Sequence, residues 1–144
     1  MRILKQTGFT LIEVMVVVVI LGILAAVVVP NIMSKPDEAR VSKAKQDVRA
    51  LEEALNRYKL DNYDYPSTEQ GLKALVTKPG GSPAANHWNG PYVKKVPNDP
   101  WHHPYQYMNP GVHGDIDIFS TGKEVASPDD DIGNWNLDED IKVK

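Results

Sequence analysis

The 144-residue chain contains no cysteine, no excess of basic residues, and no polar side chain between residues 14 and 29. Without cysteine there is no disulfide framework, no thiol nucleophile and no thiolate-held zinc or iron–sulfur centre. Lys+Arg 16 against Asp+Glu 19 leaves a formal net charge of -3, which removes the electrostatic ground for a nucleic-acid partner. Catalytic spacings are missing as well. His87, His102, His103 and His113 form neither an H-x-x-x-H nor an HExxH pattern, and the chain has no G-x-S-x-G and no phosphate-binding glycine loop. These histidines read as loop residues and nothing points to an enzyme. Trp88, Trp101 and Trp135 read as core or loop anchors rather than a sugar-binding platform. The mean hydropathy of -0.37 averages two unlike parts, an apolar N-terminal fifth and a polar remainder.

In residues 9–29, FTLIEVMVVVVILGILAAVVV, Glu13 is the only ionisable side chain. As a helix rising about 1.5 Å per residue, this run spans roughly 31 Å, the thickness of a bilayer's hydrocarbon core. Arg2 and Lys5 precede it and no basic residue follows until Lys35, so the expected topology is N-terminus cytoplasmic and C-terminal part outside. A cleaved secretory signal fits less well. The run is longer than an h-region, and Ala25-Ala26 leads into Val27-Val28-Val29-Pro30 with no small-x-small site. A carboxylate one turn inside an apolar helix calls for a partner. A cut between Gly8 and Phe9 would supply one, the new α-amino group four residues before Glu13.

Lys5-Gln6-Thr7-Gly8 followed by Phe9-Thr10-Leu11-Ile12-Glu13 resembles the class III signal of type IV pilins and pseudopilins. The resemblance implies cleavage after Gly8 by a prepilin peptidase and N-methylation of Phe9. It also implies that Glu13, at the fifth mature position, guides subunit register.

Beyond Pro30, Val41, Ala44, Val48, Leu51, Leu55 and Tyr58 recur at spacings of three and four. This predicts an amphipathic helix over residues 35–60 whose apolar stripe is a core face rather than a coiled-coil seam. Ser34 fits as its N-cap, ahead of Pro36, Asp37 and Glu38. Pro30 cannot donate a backbone hydrogen bond, so a kink or local melting is expected between residues 22 and 31. Ten of the 11 aromatic residues and nine of the 11 prolines lie between Tyr58 and Trp135, marking a change of character near Leu60. Ser67-Thr68-Glu69-Gln70 reads as a capping box opening a short second helix, and Tyr105-Gln106-Tyr107-Met108 and Asp115-Ile116-Asp117-Ile118-Phe119 alternate as strands do. The expected fold is α+β, a long N-terminal helix with transmembrane and amphipathic halves, the latter packed against a small antiparallel sheet. The expected divisions are a leader at 1–8, a transmembrane and assembly helix at 9–30, its amphipathic continuation at 31–60, a globular part at 61–137 and a charged, disordered tail at 138–144.

Glu124, Asp129, Asp130 and Asp131 put four carboxylates within eight residues. Such crowding raises the carboxyls' pKa values unless donors or a cation compensate, and clustered oxygens are what Ca²⁺ selects. The spacing is not that of an EF-hand, and a solvated acidic turn stands beside a metal site on spacing alone. Tyr65-Pro66-Ser67-Thr68-Glu69-Gln70-Gly71-Leu72, Asp99-Pro100-Trp101 and Asp131-Ile132-Gly133-Asn134-Trp135 resemble the major pseudopilins of bacterial type II secretion systems. That resemblance implies a type IV pilin-like fold and a calcium site before the Ile-Gly-Asn-Trp stretch. The implied ligands are the side chains of Glu124, Asp130 and Asp131 and the carbonyls of Thr121 and Pro128, with Ser127 or Asp129 as substitutes in a loop shorter than some relatives have. It further implies pairing of Glu52 with Lys94 between subunits.

The function so implied is a structural subunit. It is processed by prepilin peptidase, held in the inner membrane with its globular part in the periplasm, and assembled as a homopolymer with minor pseudopilins on an inner-membrane platform. The periplasmic fibre would support export of folded proteins across the outer membrane. Three alternatives remain: a type IV pilus subunit, which would usually carry a disulfide this chain cannot form; a minor pseudopilin, which often lacks the residue present as Glu13; and a membrane-anchored calcium-dependent binding module.

Overall fold

The protein is described by a computed structural model over residues 8–141, with side chains given outside residues 27–35. It divides into two compact units, Met1–Pro36 and Asp37–Lys144.

The 52-residue helix α1, Leu11–Asn62, contributes to both units. A reciprocal pair of bonds opens it. The Thr10 hydroxyl accepts the Glu13 N–H at 3.3 Å and the Glu13 carboxylate accepts the Thr10 N–H at 3.4 Å, a capping box that satisfies two donors at the helix start. The expected melting around Pro30 does not occur, because α1 is helical without interruption from Leu11 to Asn62. One missing donor costs less in an apolar helix than freeing several backbone groups that have no other partner. Ser34 therefore does not begin a helix, and its side chain lies outside those described.

In the first unit, the large apolar side chains at residues 9, 11, 12, 14–21, 23 and 24 are all exposed, Phe9 at 84 %. Among the described residues, no helix is long and apolar enough to cross a membrane. The apolar helical stretch with described side chains, residues 11–26, falls short of the ~20 residues a span needs, and residues 27–30 of the expected 9–30 span lie outside the described side chains.

In the second unit, all six stripe residues of α1 are buried, joined by Ala54. Val48, Leu51, Ala54, Leu55 and Tyr58 share a cluster with Leu72, Leu75, Tyr105, Tyr107, Ile116 and Ile118. The sheet it faces is antiparallel, with β1 (Gln106–Met108), β2 (Asp117–Ser120) and β3 (Ile132–Gly133) in that order. Tyr107 stands opposite Ile118, and Phe119 opposite Gly133. β3 lies outside the expected strands; only two residues long, it leaves no alternation to read.

The Ser67–Gln70 box forms as expected, with the Ser67 N–H donating to Gln70 Oε1 at 2.9 Å and the Gln70 N–H to Ser67 Oγ at 3.2 Å. The box leads into a four-residue 3-10 turn, Leu72–Leu75, rather than an α-helix. Gly71, at φ 61, has already turned the chain. The tryptophans anchor loops: Trp88 donates to the Ala74 carbonyl at 2.8 Å, Trp101 packs beside Val41, Ala44 and Ile132, and the Trp135 ring stacks on His113 at 3.8 Å.

The tail expected to be disordered is held over its described part. Arg49 pairs with Asp138 at 3.2 Å, Lys45 donates to the Glu139 carbonyl at 2.6 Å, and Ile141 joins the Val41 and Ala44 cluster. Composition predicts disorder because these partners lie some ninety residues away in sequence. Residues 142–144 lie outside the described part.

Asp117, 1 % exposed, closes the turn before β2. Its carboxylate accepts the Val112 N–H at 2.8 Å, the His113 N–H at 3.2 Å and His113 Nδ1 at 2.9 Å. Burial pushes its pKa up, but the His113 ring and the two backbone donors outweigh burial and hold it below the ordinary aspartate range. A depressed carboxyl stabilises the fold above its ordinary pKa and loses that contribution as pH falls through the lowered value. Asp117→Asn should therefore cost about 1–3 kcal/mol at pH 7. In urea titrations, the gap from wild type should close as pH drops below about 4.

Candidate functional site

The acidic loop spans residues 121–131 and connects β2 to β3. Its centre is Asp130, 6 % exposed, which sits in the 3-10 turn Pro128–Asp130. Asp130 Oδ2 accepts the Lys123 N–H at 3.0 Å and the Glu124 N–H at 3.1 Å, folding the start of the loop over the carboxylate. Gly122 makes this possible. It holds φ 65, and a Cβ there would lie 2.6 Å from both the Asp130 carbonyl oxygen and Oδ2, so no larger residue fits.

Among the described residues, the other carboxylate oxygen, Asp130 Oδ1, is buried without a hydrogen-bond partner, and so is the Thr121 hydroxyl. Buried oxygens usually find partners, so an orphaned carboxylate oxygen marks a place for a donor or a cation. Asp131 is half-buried. Burial first, and then the Asp130 charge, pushes its pKa up, while His113 opposes this weakly. Two adjacent carboxylates so arranged form the electrostatic setting that a hard cation relieves.

The remaining expected ligands are placed less tightly. Glu124 and Asp129 are exposed, and Ser127 is half-buried. The Glu124 carbonyl accepts the Ser127 N–H at 3.0 Å, and the Pro128 carbonyl accepts the Asp131 N–H at 3.4 Å. Among the described residues, no three carboxylates or histidines are gathered as a metal-ligating group. The loop thus presents Asp130, Asp131 and Thr121 as its fitting donors, with Glu124 and the Pro128 carbonyl on its rim.

Sequence reasoning missed the support beneath this loop. Asp99, 3 % exposed, accepts the Trp101 N–H at 3.0 Å and the His103 N–H at 2.7 Å through Oδ1. Its Oδ2 accepts the Ser120 hydroxyl at 2.6 Å. The signal lay in Asp99-Pro100-Trp101, where an aspartate before Pro-x typically bonds its own backbone two residues on. The bond to Ser120, 21 residues away, leaves no local trace.

Of the processing residues, Gly8 and Phe9 are exposed and non-helical, immediately before α1. Lys5, Gln6 and Thr7 lie outside the described residues. Glu13 is bonded to Thr10 within the capping box of α1. Glu52 is half-buried and accepts the Asn134 side-chain amide at 3.4 Å, Lys94 is exposed, and no ion pair joins the two among the described residues.

Residues 31–141 match the family described as Type II secretion system (T2SS), protein G, and residues 3–29 match the prokaryotic N-terminal methylation motif. The chain is 59% identical over 137 residues to the type II secretion system core protein G of Pseudomonas aeruginosa, covering 92% of this chain and 96% of that one. Its counterpart from Aeromonas hydrophila is 58% identical over 135 residues, covering 92% and 94%. The crystal structure of the major pseudopilin from the type 2 secretion system of enterohaemorrhagic Escherichia coli is similar with a TM-score of 0.67 and 48% identity, over 75% of this chain and 96% of that one. The helix with its small antiparallel sheet, the methylation motif and these likenesses agree: the chain belongs to the type II secretion system protein G family, the major pseudopilins, which are structural subunits of the pseudopilus and not enzymes.

Proposed function

We propose that this major pseudopilin is cut after Gly8 and methylated at Phe9, waits in the inner membrane with its globular unit in the periplasm, and then polymerises into a periplasmic fibre stabilised by calcium. The observation that carries this reading is the run of exposed apolar side chains from Phe9 to Leu24, directly behind an accessible Gly8-Phe9 bond. So large an apolar surface has two stable settings, lipid before assembly and neighbouring copies after it. A fibre needs a heterologous contact that does not close into a ring, which parallel apolar helices displaced along an axis supply.

Cleavage places a cationic amine at the start of α1, where the helix dipole already disfavours positive charge. The Glu13 carboxylate offsets it, within one chain or across to a neighbour, and the cross-pairing fixes axial register. Glu52 and Lys94 would pair between copies on the periplasmic side, with the small contribution exposed pairs make. Minor pseudopilins and an inner-membrane platform complete the expected partners.

Calcium is assigned to the 121–131 loop. Asp130 and Asp131 would hold it by carboxylate and the Thr121 and Pro128 carbonyls by their oxygens, with Glu124, Ser127 or Asp129 completing the set. Bound there, the ion supplies no chemistry beyond tying the loop together. What supports this is the buried, unpartnered Asp130 Oδ1 beside the Asp131 carboxyl, whose pKa is raised by burial and by the Asp130 charge.

Mass spectrometry of the protein produced with a prepilin peptidase should show loss of residues 1–8 and the added mass of one methyl group, and an intact Met1 would overturn the processing step. For calcium, the detergent-solubilised full chain should unfold at a lower temperature in EGTA than in saturating Ca²⁺. At a hundred times the dissociation constant, the stabilisation of about 2.7 kcal/mol corresponds to a shift on the order of 10 °C. Asp130→Asn should abolish the response; equal midpoints for wild type in the two conditions would sink the calcium assignment.

A further inference from the structure

The Asp99 network does more than satisfy a buried carboxylate. Ser120 is fully buried; its hydroxyl donates to Asp99 Oδ2 at 2.6 Å and its Oγ accepts the Gly122 N–H at 3.1 Å. Asp99 Oδ1 fixes the backbone of His103 by accepting its N–H at 2.7 Å, and the His103 ring lies beside the same carboxylate, with Nδ1 3.8 Å from Oδ2. The same Nδ1 lies 3.2 Å from the Gly122 carbonyl. A carbonyl only accepts, so Nδ1 carries the proton in this contact. Both backbone polar groups of Gly122 are thus held by residues that Asp99 binds, the N–H by the Ser120 hydroxyl and the carbonyl by the ring of His103, whose backbone Asp99 fixes.

Gly122 is in turn the residue against which Asp130 packs, with no room for a Cβ between them. Beyond it, two backbone N–H groups fix Asp130 Oδ2, while Oδ1 and the hydroxyl of neighbouring Thr121 have no partner among the described residues. A network built only to stabilise the core would end with its buried oxygens satisfied. This one runs from Asp99 to Gly122 and ends at two buried oxygens, Asp130 Oδ1 and the Thr121 hydroxyl, that no described residue fills. Such an arrangement is what outer-shell groups provide at metal sites, where a hydrogen-bonded carboxylate and histidine orient the groups that ligate.

We propose that Asp99, acting through Ser120 and His103, is a positioning residue of the cation site: it locks Gly122 so that the Asp130 carboxylate and the Thr121 segment are held ready for Ca²⁺. This rests on the calcium reading of the loop and extends it to three residues outside the acidic stretch. It also gives the Asp99-Pro100-Trp101 turn a purpose, since that turn brings Asp99 and His103 under the loop.

The test uses the full chain in detergent micelles, with calcium affinity measured by titration calorimetry and unfolding midpoints measured in Ca²⁺ and in EGTA. Ser120→Ala, His103→Ala and Asp99→Asn are each expected to weaken calcium binding by about 10–100-fold. His103 is half-exposed, so His103→Ala should leave the midpoint in EGTA near that of wild type while shrinking the increment gained from calcium. This variant keeps the test decisive even where Asp99→Asn or Ser120→Ala fails to fold. Variants that bind calcium as tightly as wild type would overturn the proposal, as would a His103→Ala midpoint lowered equally in Ca²⁺ and EGTA, which is the mark of a merely structural role. Wild-type protein that binds no calcium would instead overturn the loop assignment itself, and this proposal with it.

Discussion

The globular unit depends on one packed face. Its sheet offers three strands of two to four residues, too little surface to enclose a core, and its connections are rich in proline and glycine. The stripe from Val41 to Tyr58 on α1 supplies the missing wall, and Tyr105, Tyr107, Ile116 and Ile118 from the sheet region close over it. A small domain buries too small a fraction of its surface to be secure by itself, so the helix is a structural necessity for the head. Every other feature, from the pinned tail to the acidic loop, hangs on elements that this wall positions.

With no cysteine available, buried carboxylates take the place of cross-links. Asp117 ties the turn at Val112 and His113 to the start of β2, and Asp99 ties its own turn to the end of β2. Each gathers several donors around one side chain, which makes burial of the charge tolerable and leaves loss of the side chain expensive. Tyr105 adds a longer-range tie, donating to Asp47 on α1 at 2.9 Å, while Lys43 pairs with the same aspartate. The head is therefore held by polar ties at its edges and by apolar packing at its centre.

What the sequence made legible was whatever repeats or closes locally. The stripe could be read from its spacing, the Ser67–Gln70 box from a three-residue interval, and the strands around Tyr107 and Ile118 from alternation. Ala54 escaped because the series of threes and fours steps from Leu51 to Leu55 and passes over it, and β3 because two residues cannot alternate. The uninterrupted helix at Pro30 ran against a sound local rule, since the rule weighs one residue and not the fifty around it. Half of the candidate site was legible as acidic residues in a row, and the Asp99 network beneath the loop was not. Asp99 and His103 share one turn, but Ser120 reaches Asp99 only once the chain has folded back through β2, and no spacing announces that bond.

The reciprocal bonds between Thr10 and Glu13 carry a consequence for timing. While residues 1–8 remain attached, residue 9 offers a peptide N–H rather than a cation, and the Glu13 carboxylate accepts the Thr10 N–H of its own backbone. Under the proposed processing, a single hydrolysis creates the cation and gives Glu13 a stronger partner than an amide. On that reading the leader would work as a safety catch: a subunit would become competent to join only after the peptidase had acted, and uncut copies would lack the charge pair that holds them in step.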